Sequence, residues 1–325
     1  MGSWLDGRRG MRFAPCMPVS NYQIVRLANG ITSIRSVREG ETFHPVVGPA
    51  AEAEALYIRQ LKLAQRMRDE PGEFVIWDVG LGGGANVLSV LDRTREAGPS
   101  LRIVSFDHTL EPLCFAVQHA DQLGYFAGLE SEVNRLIQER SIVFSDGRRQ
   151  ISWELRLGDF PTLMSGSELA CEPAPHAVLF DAYSPARNPA MWTLPLFQGL
   201  FRHLDPGRPC ALPTYSRSTL LRATLLLAGF HVGVGHATGE KEETTIASNS
   251  PLLIDEPLGN DWLKRARAST SAEPLLEPFY CQRPLTEDSF SRLMAHPQFA
   301  ASGQGASRSR QGADAGPAIV ESGGS

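Results

Sequence analysis

Apolar and polar positions alternate along the chain in a way that changes period several times. Tyr22-Gln-Ile24-Val-Arg-Leu27 and Ile31-Thr-Ser-Ile34-Arg-Ser-Val37 repeat every second residue and flank Asn29-Gly30, a strong hairpin signal. From Ala50 to about Arg68 the apolar residues Leu56, Ile58, Leu61 and Leu63 sit among charges, which predicts a helix. A different pattern starts at Phe74-Val-Ile-Trp77, a short unbroken apolar run of the kind that forms a buried parallel strand. Further strands are predicted at Leu101–Phe106, Ser152–Leu157, Ala177–Phe180 and Cys210–Tyr215. Helices are predicted between them, at about Asn86–Arg95, Glu111–Leu123, Leu129–Arg140, Trp192–Leu204 and Ser218–Ala228, the last closed by Gly229. Phe230–Val234 and Glu243–Ala247 read as an antiparallel terminal pair.

Strands alternating with helices imply a mostly parallel sheet covered on both faces. The boundaries that follow are a loose N-terminus over 1–20, a hairpin-and-helix extension over 21–68 and the α/β domain over 69–297. The tail, 298–325, is rich in Ser, Gly, Ala and Gln and is predicted to be disordered. There are no internal repeats.

Composition narrows this picture only a little. An apolar fraction of 42% over 325 residues is ordinary for a globular protein. No stretch approaches the ~20 apolar residues needed to span a bilayer, and the N-terminus lacks an apolar signal core, so a cytoplasmic location is expected. The five cysteines are scattered and show no zinc-ligand spacing, so no metal is expected. A net charge of −5 argues against non-specific coating of nucleic acid, though not against a local basic patch.

Candidate chemistry concentrates at the predicted strand ends. Asp78-Val-Gly80-Leu-Gly82-Gly83-Gly84 joins a strand to a helix, where glycines let the backbone turn sharply and approach a ligand. Alone, this loop also fits the dinucleotide pattern G-x-G-x-x-A. Three acids weigh against that. Asp78 precedes the first glycine, where a carboxylate can receive an ammonium. Asp107 ends the next strand, placed for ribose hydroxyls, and Asp159 ends another, placed for an adenine amino group. Acids at three strand ends suit S-adenosylmethionine better than an anionic pyrophosphate. The other reading of each acid is a helix cap or a surface loop residue.

The segment Phe180-Asp181-Ala-Tyr183-Ser-Pro185-Ala-Arg-Asn188-Pro189 follows an apolar strand. In methyl transfer to nitrogen, a carboxylate accepting N–H bonds turns the lone pair toward the methyl group and stabilises the charge developing on nitrogen. Asp181 is the candidate; the bland alternative is a helix cap in a proline-stiffened loop.

Asp181-Ala-Tyr-Ser-Pro-Ala-Arg-Asn-Pro-Ala-Met191-Trp192 resembles the Asp-Ala-Phe-x-Pro-x-x-Asn-Pro-x-x-Trp segment of the tRNA 5-methylaminomethyl-2-thiouridine methyltransferases, the MnmC/MnmD type. Gly80-Leu-Gly-Gly-Gly84-Ala-Asn86-Val-Leu88 is similar to that family's Gly-Phe-Gly-Thr-Gly-Leu-Asn-Phe-Leu. Thr214-Tyr215-Ser216, Arg222 and Ala228-Gly229-Phe230 resemble a later stretch. Gly40-Glu41-Thr-Phe-His44 and Glu52-Ala-Glu54-Ala-Leu-Tyr57 resemble an early one. The resemblance covers about residues 22–250. One departure is Glu242, which stands where the family carries arginine.

The resemblance implies a Rossmann-like class I methyltransferase fold, α/β, with a mostly parallel sheet, an antiparallel terminal pair and a small N-terminal β extension. It implies S-adenosylmethionine as cofactor and the aminomethyl group of a wobble uridine in tRNA as acceptor. By the match, Asp181 faces the amine, and Glu54, Tyr57 and Asn86 join Asp78, Gly80, Gly82, Gly84, Asp107 and Asp159 at the cofactor. Tyr183, Pro185, Asn188, Arg217 and Lys241 fall on the substrate side, with Arg222 a further candidate for RNA phosphate. No second dinucleotide loop follows residue 250, so the flavin-dependent oxidase domain of some members is not expected. His44 reads equally as a lining or a structural residue; Trp192 and Phe197 read as core. Competing readings are methylation of another amine, a nicotinamide-dependent oxidoreductase and a degenerate, partner-binding methyltransferase domain.

Overall fold

A computed structural model describes residues 21–300 except 99, 148, 167, 168, 170, 240 and 241. The expectations for 1–20, for 301–325 and for Lys241 lie outside the described residues. The strands are β1 Tyr22–Arg26, β2 Thr32–Ser36, β3 Phe74–Val79, β4 Ser100–Asp107, β5 Ser141–Asp146, β6 Arg149–Leu157, β7 Ala177–Phe180, β8 Ala211–Thr214, β9 His231–Gly235 and β10 Thr244–Ser248. β1 and β2 form a separate antiparallel hairpin. The other eight make one sheet in the order β5-β6-β4-β3-β7-β8-β10-β9. Its centre, β6 to β8, is parallel, and both edges are antiparallel. The sheet is thus the Rossmann-like one expected, with the terminal pair and the N-terminal hairpin in place.

Burial explains the apolar runs. β3 is buried along its whole length, and its side chains alternate between two cores. Phe74 and Ile76 join one, with the hairpin residue Ile34 and the helices 85–93 and 130–139. Val75, Trp77 and Val79 join the other, with the helices 194–203 and 219–228. The helices are stopped by local chemistry. Ser218 accepts from the Leu221 amide at one end of 219–228, and Gly229, at φ +110°, closes the other.

Three expectations change. The helix predicted over Ala50–Arg68 is broken: helical turns at Pro49–Ala53 and Leu63–Asp69 flank a π-helical segment, Glu54–Arg59, and Lys62 is left-handed. Four consecutive residues, Ala55 to Ile58, are buried, so the burial follows no clean amphipathic phase. Second, β5 pairs with β6 across the Asp146-Gly147 turn, where no strand had been read. Third, the helices Asn260–Ala268 and Glu287–Met294 extend the second core, burying Trp262, Leu263 and Leu293.

Arg149, at the start of β6, is 1% exposed. Its guanidinium donates to the Thr94 and Leu91 carbonyls at 2.7 and 3.3 Å, closing the C-terminus of helix 85–93, and it pairs with Asp146. Arg149→Met leaves these acceptors unmatched inside the protein. It is expected to lower the unfolding free energy by on the order of 3 kcal/mol in urea denaturation, against near neutrality if water replaces the guanidinium.

Candidate functional site

The parallel strands all end on one side, and the strand order reverses between the neighbours β3 and β7, where an open α/β sheet leaves a crevice. A cavity of about 760 Å³ opens there, within the range of small-molecule sites. Its floor is the loop after β3. Gly80, Gly82 and Gly84 have φ of +91°, +51° and +78°, which glycine adopts freely. A side chain on Gly80 would put its Cβ 2.5 Å from the Asp181 carbonyl oxygen, so the glycine also lets the loops after β3 and β7 touch. Gly82 donates its amide to Asp107 Oδ2 at 2.9 Å, tying the loop to the end of β4.

Gly80, Gly82, Asp107, Asp159, Asp181, Tyr183 and Asn188 all line this cavity. Asp159 also caps the following helix, its Oδ2 accepting from the Thr162 amide and hydroxyl, so the capping and lining readings hold together. Asn86 stands behind the wall: its Nδ2 donates to Asp181 Oδ2 at 2.9 Å, so it meets the acid rather than the open cavity. Tyr57 is buried beneath the same acid. Asp78 also lies below the wall, 1% exposed, on the β3 face that meets helix 85–93. No hydrogen bond of good geometry reaches either of its oxygens among the described residues. Burial pushes its carboxyl up to about 8, with the nearby Ser105 hydroxyl easing part of the burden.

Other expectations are corrected. Glu54 turns away from the cavity toward Arg59 and Arg93, at 3.6 and 3.7 Å. Glu52, two residues earlier on the helical turn Pro49–Ala53, stands in the wall instead. Gly84 starts helix 85–93 under Leu113 and does not line the cavity. Pro185 lies in a turn and does not line the cavity; Arg217 is exposed outside it, which leaves the phosphate contact expected of it open. Arg222 is buried, donating to Thr245 Oγ1, the Thr244 carbonyl and Glu243, so it fastens the terminal strands and is closed to RNA phosphate.

The segment after the hairpin supplies a wall that sequence reasoning largely missed. Phe43 packs on Tyr183 with ring centroids 5.9 Å apart, and Ser184 Oγ donates to Glu41 at 2.6 Å. His44 lines the cavity between Glu52 and Asp181, each 3.7 Å from one ring nitrogen. The Gly40-to-His44 motif was the signal available for these residues. A carboxylate on a glycine-cradled cavity, oriented by an amide and walled by aromatic rings, can accept N–H bonds from a ligand held against the glycine loop.

Comparison with known proteins gives this arrangement a family. Residues 129–250 match the family model described as S-adenosyl-L-methionine-dependent methyltransferase. The chain is 30% identical over 246 residues to the tRNA 5-methylaminomethyl-2-thiouridine biosynthesis bifunctional protein MnmC of Methylibium petroleiphilum, and 28% identical over 250 residues to that of Stutzerimonas stutzeri. These matches cover 72% and 70% of this chain but 35% of each relative, so the chain spans about a third of their length. The crystal structure of MNMC2 from Aquifex aeolicus is similar over 85% of both chains, with a TM-score of 0.61 and 25% identity. No helix among the described residues is long and apolar enough to cross a membrane. The sheet order agrees with these matches: the chain carries an S-adenosyl-L-methionine-dependent methyltransferase domain, similar to the methyltransferase part of the MnmC proteins.

Proposed function

We propose that this domain methylates the aminomethyl group of a modified wobble uridine in tRNA, with Asp181 facing the accepting amine. One observation carries the reading: the Asp181 carboxylate lines the same cavity as the glycine loop and is held there by Asn86. The names of the matched relatives point to the same nucleoside.

Two features of the chain fit the cofactor. The glycine loop leaves room that side chains would fill, and Asp78 is a buried carboxyl that no hydrogen bond of good geometry reaches among the described residues, a place that suits a cationic partner. Asp78 would meet the methionine ammonium, directly or through water, Asp107 the ribose hydroxyls and Asp159 the adenine amino group. When bound, S-adenosylmethionine supplies a methyl group on a sulfonium, open to in-line displacement. Asp181 accepts the N–H bonds of the substrate amine, and this turns the lone pair toward that methyl. Phe43 and Tyr183 offer ring faces to a splayed-out base, the usual way proteins take single-stranded RNA. Asn188 supplies a polar contact beside them, and the exposed Arg217 a phosphate contact. Such an enzyme works in the cytoplasm, where tRNA is.

Incubating the purified chain with S-adenosylmethionine and tRNA from a strain lacking this modification is expected to convert aminomethyl to methylaminomethyl uridine in nucleoside mass spectrometry. An unchanged profile rejects the tRNA substrate. Calorimetry is expected to show binding of S-adenosylhomocysteine and none of NAD(H); the reverse would revive the oxidoreductase reading.

A further inference from the structure

His44 has a left-handed backbone, φ +47°, and its ring is buried in the cavity wall. A non-glycine residue in that region is held against a local cost, and such residues gather at functional sites. The ring lies between carboxylates from two separate elements. Nδ1 is 3.7 Å from Glu52 Oε1, on the helical turn Pro49–Ala53, and Nε2 is 3.7 Å from Asp181 Oδ2, after β7. These are ion-pair distances, longer than hydrogen bonds. The phenols of Tyr57 and Tyr215 are packed near the same acids. Burial first, and the acids second, hold both well above their ordinary range, so they stay neutral. Asp181 and Glu52 are therefore the charged groups acting on the ring. Burial alone would lower His44, but the two carboxylates outweigh it and lift it to about 9.

We propose that His44, fixed by Glu52, is a positioning residue that sets one positive charge beside Asp181 so that the cavity takes the accepting amine in its neutral form. The proposal rests on the amine-transfer reading above. An aliphatic amine near neutral pH is largely ammonium, whose lone pair is occupied by a proton. A lone buried carboxylate would hold it in that form. An imidazolium 3.7 Å from the carboxylate offsets this attraction and repels an arriving ammonium, as neighbouring cations do for reactive lysines. The ammonium loses its proton to solvent before transfer. The freed nitrogen pair then forms the C–N bond, the C–S pair stays on sulfur, and the methylated ammonium later releases a proton to water. Asp181 still accepts N–H from the neutral amine, so orientation is kept.

His44→Asn is the informative variant, because asparagine tolerates the left-handed backbone while removing the charge. In the pH profile of kcat on aminomethyl tRNA, which reports the bound complex, the rising limb is expected to move up by about one pH unit. Turnover at pH 7 then falls about tenfold and recovers toward wild type in alkali. Glu52→Gln is expected to move the limb the same way by less. Affinity for S-adenosylhomocysteine stays unchanged in both. An unmoved limb, or an equal loss at every pH together with weaker S-adenosylhomocysteine binding, overturns the proposal. NMR titration of labelled histidine in the intact protein decides it without substrate: the His44 ring is expected to remain protonated at pH 8, and a ring already neutral at pH 7 overturns it. Wild-type inactivity on the tRNA would count against the substrate reading, and the ring titration would still decide this one.

Discussion

Asp181→Ala is expected to lower kcat by about 10²–10⁴-fold, the range for a positioned carboxylate in proton and lone-pair management, while S-adenosylhomocysteine binds within a few-fold of wild type. The separation follows from which atoms of Asp181 touch what. Its backbone carbonyl abuts Gly80, so the shape of the cofactor loop depends on the main chain, which alanine retains. Its carboxylate meets Asn86 and His44, neither of which belongs to the glycine loop. Removing it strips the amine of its acceptor and takes the carboxylate away from the Asn86 amide and from His44 Nε2, while Glu52 stays beside His44 Nδ1. Asp181→Asn keeps the shape, and its amide oxygen can still accept from Asn86, but it carries no charge to stabilise nitrogen as the methyl arrives. Its turnover is expected between those of wild type and alanine. Steady-state kinetics with calorimetry on the same preparations check this. Parallel loss of turnover and binding in Asp181→Ala would make Asp181 a cofactor residue and sink the assigned role.

The contrast between Asp181 and Glu54 shows what a sequence of this kind can and cannot express. Asp181 was legible because it sits one residue past a four-residue apolar strand, and a strand's end fixes where the next side chain emerges. The same logic located Asp107 and Asp159. Glu54 was placed by the resemblance alone, and no periodicity in the sequence tested that placement. Glu52 belongs to the turn Pro49–Ala53 and Glu54 opens a π-helical segment with four buried residues in a row, so the local pattern did not show which acid faces the cavity. Arg222 failed for another reason. Its apolar neighbours in helix 219–228 are buried nearly all round, and only the terminal strands beside it supply the acceptors that make its burial tolerable. β5 was hidden because its outward positions, Val143 among them, are solvent-facing on an edge, which blurs the alternation; Asp146-Gly147 was the turn signal that could have revealed it. The His44–Glu52–Asp181 cluster brings Asp181, after β7, against two residues near the N-terminus, so no local pattern could have assembled it.

Asp78→Asn is expected to make the ligand-free protein more stable while weakening its hold on the cofactor. Folding buries the Asp78 carboxyl and raises it from 3.8 to about 8. Below about pH 4 the group is protonated in both states and contributes nothing to the difference. Between about 4 and 8 the unfolded chain ionises while the folded one retains its proton, so folding takes up a proton and the wild type loses stability as pH rises. Each pH unit in that window is worth about 1.4 kcal/mol, so the accumulated penalty at pH 7 is on the order of a few kcal/mol. Asparagine has the same shape and never ionises. Its advantage in urea denaturation should therefore be near zero at pH 4 and grow steadily to pH 8. Binding should move the other way, because the variant lacks the charge that a methionine ammonium would meet. A lost charge-assisted hydrogen bond of about 1.5–3 kcal/mol corresponds to roughly ten- to a hundredfold in affinity for S-adenosylhomocysteine. A stability gain independent of pH would mean that Asp78 is not titrating in the fold. A gain without loss of affinity would make Asp78 a loop support only. The two effects together would mark it as a group whose charge is kept, at the expense of stability, for the ligand it awaits.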